Sequence, residues 1–387
     1  MKYSLFVLLA CAACSSTASS GSTGNAPTCT EPAETSGSWT TMAFPPPTVG
    51  ATTPAFAWTG SKLIVWGGIG LDTETSSCAP CGGGGIYDPK TDSWRALSSV
   101  GAPRARSWNA AVWTGTDFLT WGGLFFPPQV SAADQVGAMY NPEKDAWQKV
   151  STAGQPAWRA HHVLAWTGRE ALVWGGANAE NVRLCDGGRF DPAQNVWRSI
   201  SLEGAAQGCI GSASVWTGEE LLVWGGSNAG SASPELTSTG AAYNPDTDSW
   251  RPISNVGAPP LRSNPATVWT GQEMIVYSGN TEADVRAYDP ASDHWRSLSA
   301  HGAPGFHAAG DAVWTGSEML VWGAPDCEVG GRYDLASDTW KPFSSKGALR
   351  ARSRQTLVWT GEALLIYGGA VGVDRTNDTT SGALYAP

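Results

Sequence analysis

The side chains best suited to chemistry stand at one recurring register. Seven residues before each of seven Trp-Thr-Gly tripeptides the chain carries Ala51, Arg106, Arg159, Cys209, Arg262, His307 and Arg352, with Arg104, Arg350 and Arg354 close by. A guanidinium forks onto a carboxylate or phosphate through two parallel hydrogen bonds, so several on one rim would grip an anion. Their plainer role is to bond main-chain carbonyls and carboxylates of the neighbouring unit. Trp108 and Trp158 lie beside the arginines of the second and third copies, near Phe125 and Phe126. With Arg104, Arg106, Arg159 and His161 they would suit stacking on a sugar ring or holding a protein segment. The alternative is that both tryptophans cover a packing seam.

One acid breaks the pattern. Asp311 precedes Trp314 by three residues, where the other copies have Ala55, Ala110, Val163, Ala213, Ala266 and Thr356. With His307, Asp326 and Glu328 it could form an acid/base group for sugar epimerisation or mutarotation; otherwise it anchors an amide or an arginine next to it. No H-E-x-x-H, G-x-S-x-G or Walker motif occurs in a suitable context. The acids at Asp72-Thr73-Glu74 and from Asp374 to Asp378 lack the spacing of a calcium loop, so neither a metal nor a cofactor is expected.

These residues are positioned by a repeat. Trp-Thr-Gly begins at Trp58, Trp113, Trp166, Trp216, Trp269, Trp314 and Trp359, and an aromatic follows eight residues later, in most copies before Gly-Gly. A Tyr or Phe then opens a turn of the type Tyr-(Asp/Asn)-Pro, and in six copies a Trp comes seven residues after it, from Trp94 to Trp340. From each such Trp to the next Trp-Thr-Gly is always nineteen residues, so the units of 55, 53, 50, 53, 45 and 45 residues vary only between Gly-Gly and the Tyr. Runs such as Leu221-Leu222-Val223-Trp224 are short, apolar and rich in strand formers, and turn residues bound them. Each unit therefore reads as four antiparallel strands, a to d, with one variable connection, b–c. Seven such units around an axis make an all-β propeller. The last unit ends at Tyr385 without strand d, while Trp39 stands nineteen residues before Trp58, so the N-terminal strand is expected to complete the last blade.

The apolar strand with its di-glycine, the following Tyr and the later Trp resemble the kelch-repeat family of β-propellers across residues 38–387, with departures at Ser278-Gly279 and Gly323-Ala324. The resemblance implies a funnel and a loop-bearing face. It implies no single activity, since kelch propellers serve as partner-binding scaffolds, as a copper oxidase and as sialic acid epimerases. The oxidase chemistry is excluded, because Tyr3 lies in the leader and the other eight tyrosines occupy fixed repeat positions. In this architecture the b–c and d–a connections share one face, which is the candidate binding surface.

Before the propeller, residues 1–14 hold one Lys, the apolar run Leu5 to Ala10 and two cysteines, which reads as an export signal. It resembles a lipoprotein leader with Cys11 or Cys14 as the lipidated residue; the other reading is a secretory signal cut after Ala13. Residues 15–37 are a Ser/Thr/Gly/Pro-rich tether with a random-coil reach of roughly 25 Å. A net charge of −10 without a basic stripe argues against nucleic acid. In an oxidising compartment Cys185 and Cys209, on one face of adjacent blades, are placed to pair. Cys78 and Cys81 read as a local loop disulfide rather than a redox pair, and Cys29 and Cys327 would pair by default. The expectation is a monomeric, lipid-anchored propeller of a bacterial envelope, outer-membrane, periplasmic or surface-facing, or else secreted. It would present its loop face to a protein or glycan, anionic if the arginines face it, with a sugar epimerase as the alternative.

Overall fold

Leu221–Trp224 is buried on both faces, as a run of four large apolar residues must be. It pairs with Ala213–Trp216 on one side and Gly240–Asn244 on the other, and Ser249–Ile253 completes the sheet. The a–b turn is set by Trp-Thr-Gly. Thr217 Oγ1 accepts the Glu219 and Glu220 amides at 3.2 and 2.9 Å, while Gly218 adopts φ +106°. Six more sheets repeat this unit in the computed structural model, which describes residues 37–72, 77–125, 131–228, 235–277, 284–304, 311–323, 330–344, 346–350, 352–371, 377–378 and 380–387.

The seven sheets are the blades of a propeller. Their innermost strands, a, are Ala55–Trp58, Ala110–Trp113, Val163–Trp166, Ala213–Trp216, Ala266–Trp269, Asp311–Trp314 and Thr356–Trp359. The seventh blade is closed as expected: Ser38–Thr41 pairs antiparallel with Gly382–Ala386, Trp39 opposite Tyr385.

The core lies between blades rather than within one. Leu172 and Trp174 of blade 3, for example, pack with Leu221, Val223, Tyr243 and Trp250 of blade 4. Burying each such side chain stabilises by about 1.5 to 3 kcal/mol. A polar clamp fixes the angle between sheets. Trp250 Nε1 donates to the Ser201 carbonyl at 2.8 Å, and Asp248 Oδ1 accepts the Ser201 amide at 3.0 Å, so blade 4 holds both main-chain groups of one residue leaving blade 3. Tyr243 Oη donates to the same Asp248 oxygen at 2.6 Å. The Trp and the turn acid grip Ala43, Ser98, Ser254 and Ser299 in the same way. This clamp is the physical content of the Tyr-to-Trp spacing.

Candidate functional site at the channel mouth

The arginines of the repeat do not form an anion collar. Arg106, Arg159, Arg262 and Arg352 are each at most 4% exposed. Arg352 shows their role: Nε donates to the Arg350 carbonyl, and Nη1 to the carbonyls of Gly368 at 3.0 Å and Ser381 at 3.1 Å. Arg106 and Arg159 likewise donate to Gly122 and Gly175. The main-chain carbonyls of Ala51, Arg106, Arg159, Cys209 and Arg262 are in turn taken by the preceding blade, as Gly68 N–H donates to Arg106 and Gly123 N–H to Arg159, at 2.9 and 2.8 Å. Both glycines of such a pair have positive φ, and a Cβ on Gly67 would come within 2.7 Å of the Arg106 carbonyl, so the pair must be glycine. The result is a belt of alternating main-chain and guanidinium bonds that staples blade to blade. Arg159 and Arg262 also meet Asp186 and Asp284, at 2.6 and 2.7 Å. Burial pulls all four below the ordinary arginine value, Arg106 to about 9 and Arg352 to about 10, which leaves them cationic at pH 7. The sequence expectation fails because these guanidinium groups are buried, with carbonyls of their own blade taking the Nε and Nη1 donors.

Several other proposed contacts belong to the same seam. Phe125 is buried and stacked on Trp158 at 5.7 Å, Trp158 Nε1 donates to the Gly123 carbonyl, and both rings lie within about 5 Å of the Arg106 guanidinium. They cover the joint between blades 2 and 3, Phe125 buried and Trp158 half-buried. Arg104 is at the surface and paired with Asp134 at 3.1 Å. Cys209 stands where an arginine would be and is bonded to Cys185 of blade 3, with Cα atoms 4.8 Å apart. Cys81 is half-buried. The Cys78 side chain, Phe126, His307, Cys327 and the residues before Gly37, Cys11, Cys14 and Cys29 among them, lie outside the described residues.

Trp108 and His161 lie elsewhere, in a feature that residue types alone do not disclose. Five residues before Trp-Thr-Gly, Thr53, Trp108, His161, Gly211, Asn264 and Arg354 all adopt left-handed φ, between +53° and +67°. For Thr, Trp, His and Arg this conformation is unfavourable, and it persists only where the surroundings impose it. The imposing contacts run from blade to blade. Thr53 N–H donates to the Arg354 carbonyl, Trp108 N–H to the Thr53 carbonyl and Asn264 N–H to the Gly211 carbonyl, at 3.3, 3.2 and 2.7 Å. The six positions thus form a ring at the channel mouth, five of them bearing different side chains, with main-chain bonds joining Arg354, Thr53 and Trp108 on one side and Gly211 and Asn264 on the other. The Arg354 guanidinium lies 5.1 Å from the centre of the Trp108 ring, which packs at 4.4 Å on His161. His161 is exposed to the mouth yet surrounded by protein, and this desolvation first, the Arg354 charge second, hold it down to about 4, neutral at pH 7. The sequence signal for this ring is a single position that varies freely inside an otherwise uniform repeat.

Inward of the ring, a cavity of about 220 Å³ is lined by Phe56, Ser212, Ser214, Thr267, Asp311 and Leu357, among others. These come from blades 1, 4, 5, 6 and 7, so the cavity lies on the axis. Asp311 Oδ2 accepts from Gln355 Nε2 at 3.2 Å, and burial raises its carboxyl to about 7. Asp311 is therefore not tied to an arginine among the described residues, and the buried register arginines do not reach it; His307, Asp326 and Glu328, the other members of the expected acid/base group, lie outside the described residues. A larger recess of about 400 Å³ sits among the a–b and c–d turns at Lys62, Trp94, Arg95 and Glu143, where Lys62 and Arg95 are already paired with Asp88 and Asp145. Among the described residues no group of three or more His, Cys, Asp or Glu could hold a metal.

Residues 50–279 and 108–324 match the profile of the KLHDC2/KLHL20/DRC7 Kelch-repeats domain. The chain is also similar to Adagio-like protein 3 of Oryza sativa subsp. japonica, 28% identical over 131 residues. That match covers 33% of this chain and 20% of the rice protein, so it spans about a fifth of the relative's length.

Proposed function

Because the chain belongs to the kelch-repeat family of β-propellers, we propose that it is a protein-interaction module that receives its partner at the channel mouth, through the ring of Thr53, Trp108, His161, Asn264 and Arg354. The observation that carries this reading is the ring itself: one left-handed backbone position, repeated in six of the blades and occupied by a different residue each time. Trp108 offers a rigid aromatic face, Arg354 a cation and His161 a neutral imidazole, a combination that can anchor a segment at low entropic cost. A glycan partner would use the same aromatic face.

Export and anchoring are part of the proposal. The apolar leader and its cysteines would place the propeller in a bacterial envelope, held through Cys14 or Cys11 and kept off the bilayer by residues 15–37. Incorporation of labelled palmitate into the wild type and its loss in Cys14→Ala or Cys11→Ala tests this part. Docking is tested in the native host by a photoreactive benzoylphenylalanine in place of Asn264, at the mouth, or of Lys90, in a c–d turn. Adducts from position 264 that fall at least tenfold when Trp108→Ala and His161→Ala are added are expected. Equal adducts from position 90 would place the partner on the opposite face and overturn the reading.

A further inference from the structure

We propose that the axial cavity is a binding site for a small organic ammonium ion, held by the Asp311 carboxylate and the hydroxyls of Ser214 and Thr267, with Phe56 and Leu357 as its apolar walls. Three observations lead there. The cavity, about 220 Å³, has room for a few heavy atoms and is lined by hydroxyls on one side and apolar side chains on the other. Its one ionisable group has no counter-charge among the described residues. The inner strands flanking Asp311, Ala266–Trp269 and Thr356–Trp359, carry no charged side chain, and on its paired strand Glu318 is locked to Arg332 at 2.9 Å. Of the cations on this face, Arg352 is bonded to the Gly368 and Ser381 carbonyls and Arg354 lies over Trp108, next to His161.

The third observation is a surplus of acceptors. Gln355 uses its Nε2 on Asp311 and on the Trp322 carbonyl, at 3.2 and 3.3 Å, which fixes the amide's orientation. Its Oε1, beside Gly323 and not in the cavity wall, has no donor among the described residues, so this amide cannot turn to give Asp311 a second hydrogen bond without losing the first. The half-buried Asp311 carboxylate and the Ser214 and Thr267 hydroxyl oxygens on the cavity wall are all acceptors, and a primary ammonium brings three N–H donors with one positive charge. A divalent metal would need several carboxylates, and only one is present among the described residues of the cavity wall. Phe56 adds a ring face for the cation.

The test is a calorimetric titration of the purified full chain with ethylammonium chloride, beside tetramethylammonium chloride, sodium chloride and glucose. Saturable ethylammonium binding is expected at pH 8. It should weaken about tenfold at pH 6, where a carboxyl titrating near 7 is only about one-tenth ionised while the amine stays charged. Asp311→Asn should weaken binding at least tenfold, and Thr267→Leu, which fills the cavity, should do so with the carboxylate intact. Trp108→Ala should leave it unchanged, which separates this site from the mouth. Absence of ethylammonium binding to the folded protein, equal affinity at pH 6 and 8, glucose binding in its place, or full binding by a folded Thr267→Leu protein would each overturn the proposal.

Discussion

Blade 3 carries an informative pair of exceptions. Where other blades have Tyr and Asp, it has Phe190 and Asn195. Tyr140, Tyr243, Tyr288 and Tyr333 donate a hydroxyl to the turn acid; Phe190 has none to give, and Asn195 still accepts the Ser151 amide at 2.7 Å. Tyr243→Phe alone should cost about 1 kcal/mol in urea denaturation, the worth of one such bond, and adding Asp248→Asn should cost less than the sum of the two single changes. The turn acids also set an acid limit. Hydrogen bonds from the tyrosine and from main-chain amides hold Asp145, Asp248, Asp293 and Asp338 below the usual carboxylate range, against the opposing pull of burial. A depressed folded value contributes stability present above the unfolded value and lost as pH falls, so the melting temperature should drop below about pH 4. Asp311 acts oppositely. Its folded value is raised to about 7, so its contribution is most favourable at low pH and is lost as pH rises from about 4 to 7. Asp311→Asn should therefore raise the melting temperature at pH 8 more than at pH 5.

At the scale of the strand and its connections, the belt of arginine and glycine predicts which changes the fold cannot absorb. Arg352→Met keeps the volume but strips donors from the Gly368 and Ser381 carbonyls, a loss of about 2 to 4 kcal/mol in denaturant melts. Cys209→Ser opens the cross-link to Cys185, 24 residues apart, at a cost of about 3 kcal/mol in the chain-entropy account. Here too lies the limit of what the sequence discloses. Strand order and the Trp39 closure are legible because packing repeats at fixed spacing: every blade must bury a Tyr or Phe and a Trp against its neighbour. The arginines were legible as a set, but not in direction, since nothing in their spacing says that carbonyls of their own blade take the guanidinium. The mouth ring was hidden for a different reason. Its shared property is a backbone angle, which Thr53, Trp108 and Arg354 adopt against their own preference, so no residue type marks it.

For the whole molecule, stability depends on the ring being closed. Deleting residues 1–37 should leave the melting temperature unchanged, because strand d of the last blade begins at Ser38. Deleting residues 1–41 removes that strand, exposes the edge at Gly382–Ala386 and leaves Phe343 and Trp322 without the Trp39 ring they pack against, 6.3 and 4.7 Å away. The shorter chain should melt lower and self-associate on size-exclusion chromatography.

Ser38 and Ala386 face each other across one ladder. In a chain without residues 1–37, a peptide linker of a few residues could therefore join Pro387 to Ser38, and new ends could be cut in the b–c segment of blade 4. Such a circularly permuted chain should refold to the same seven sectors, because only the lateral seams between sheets decide the architecture and the place where the polypeptide is severed does not.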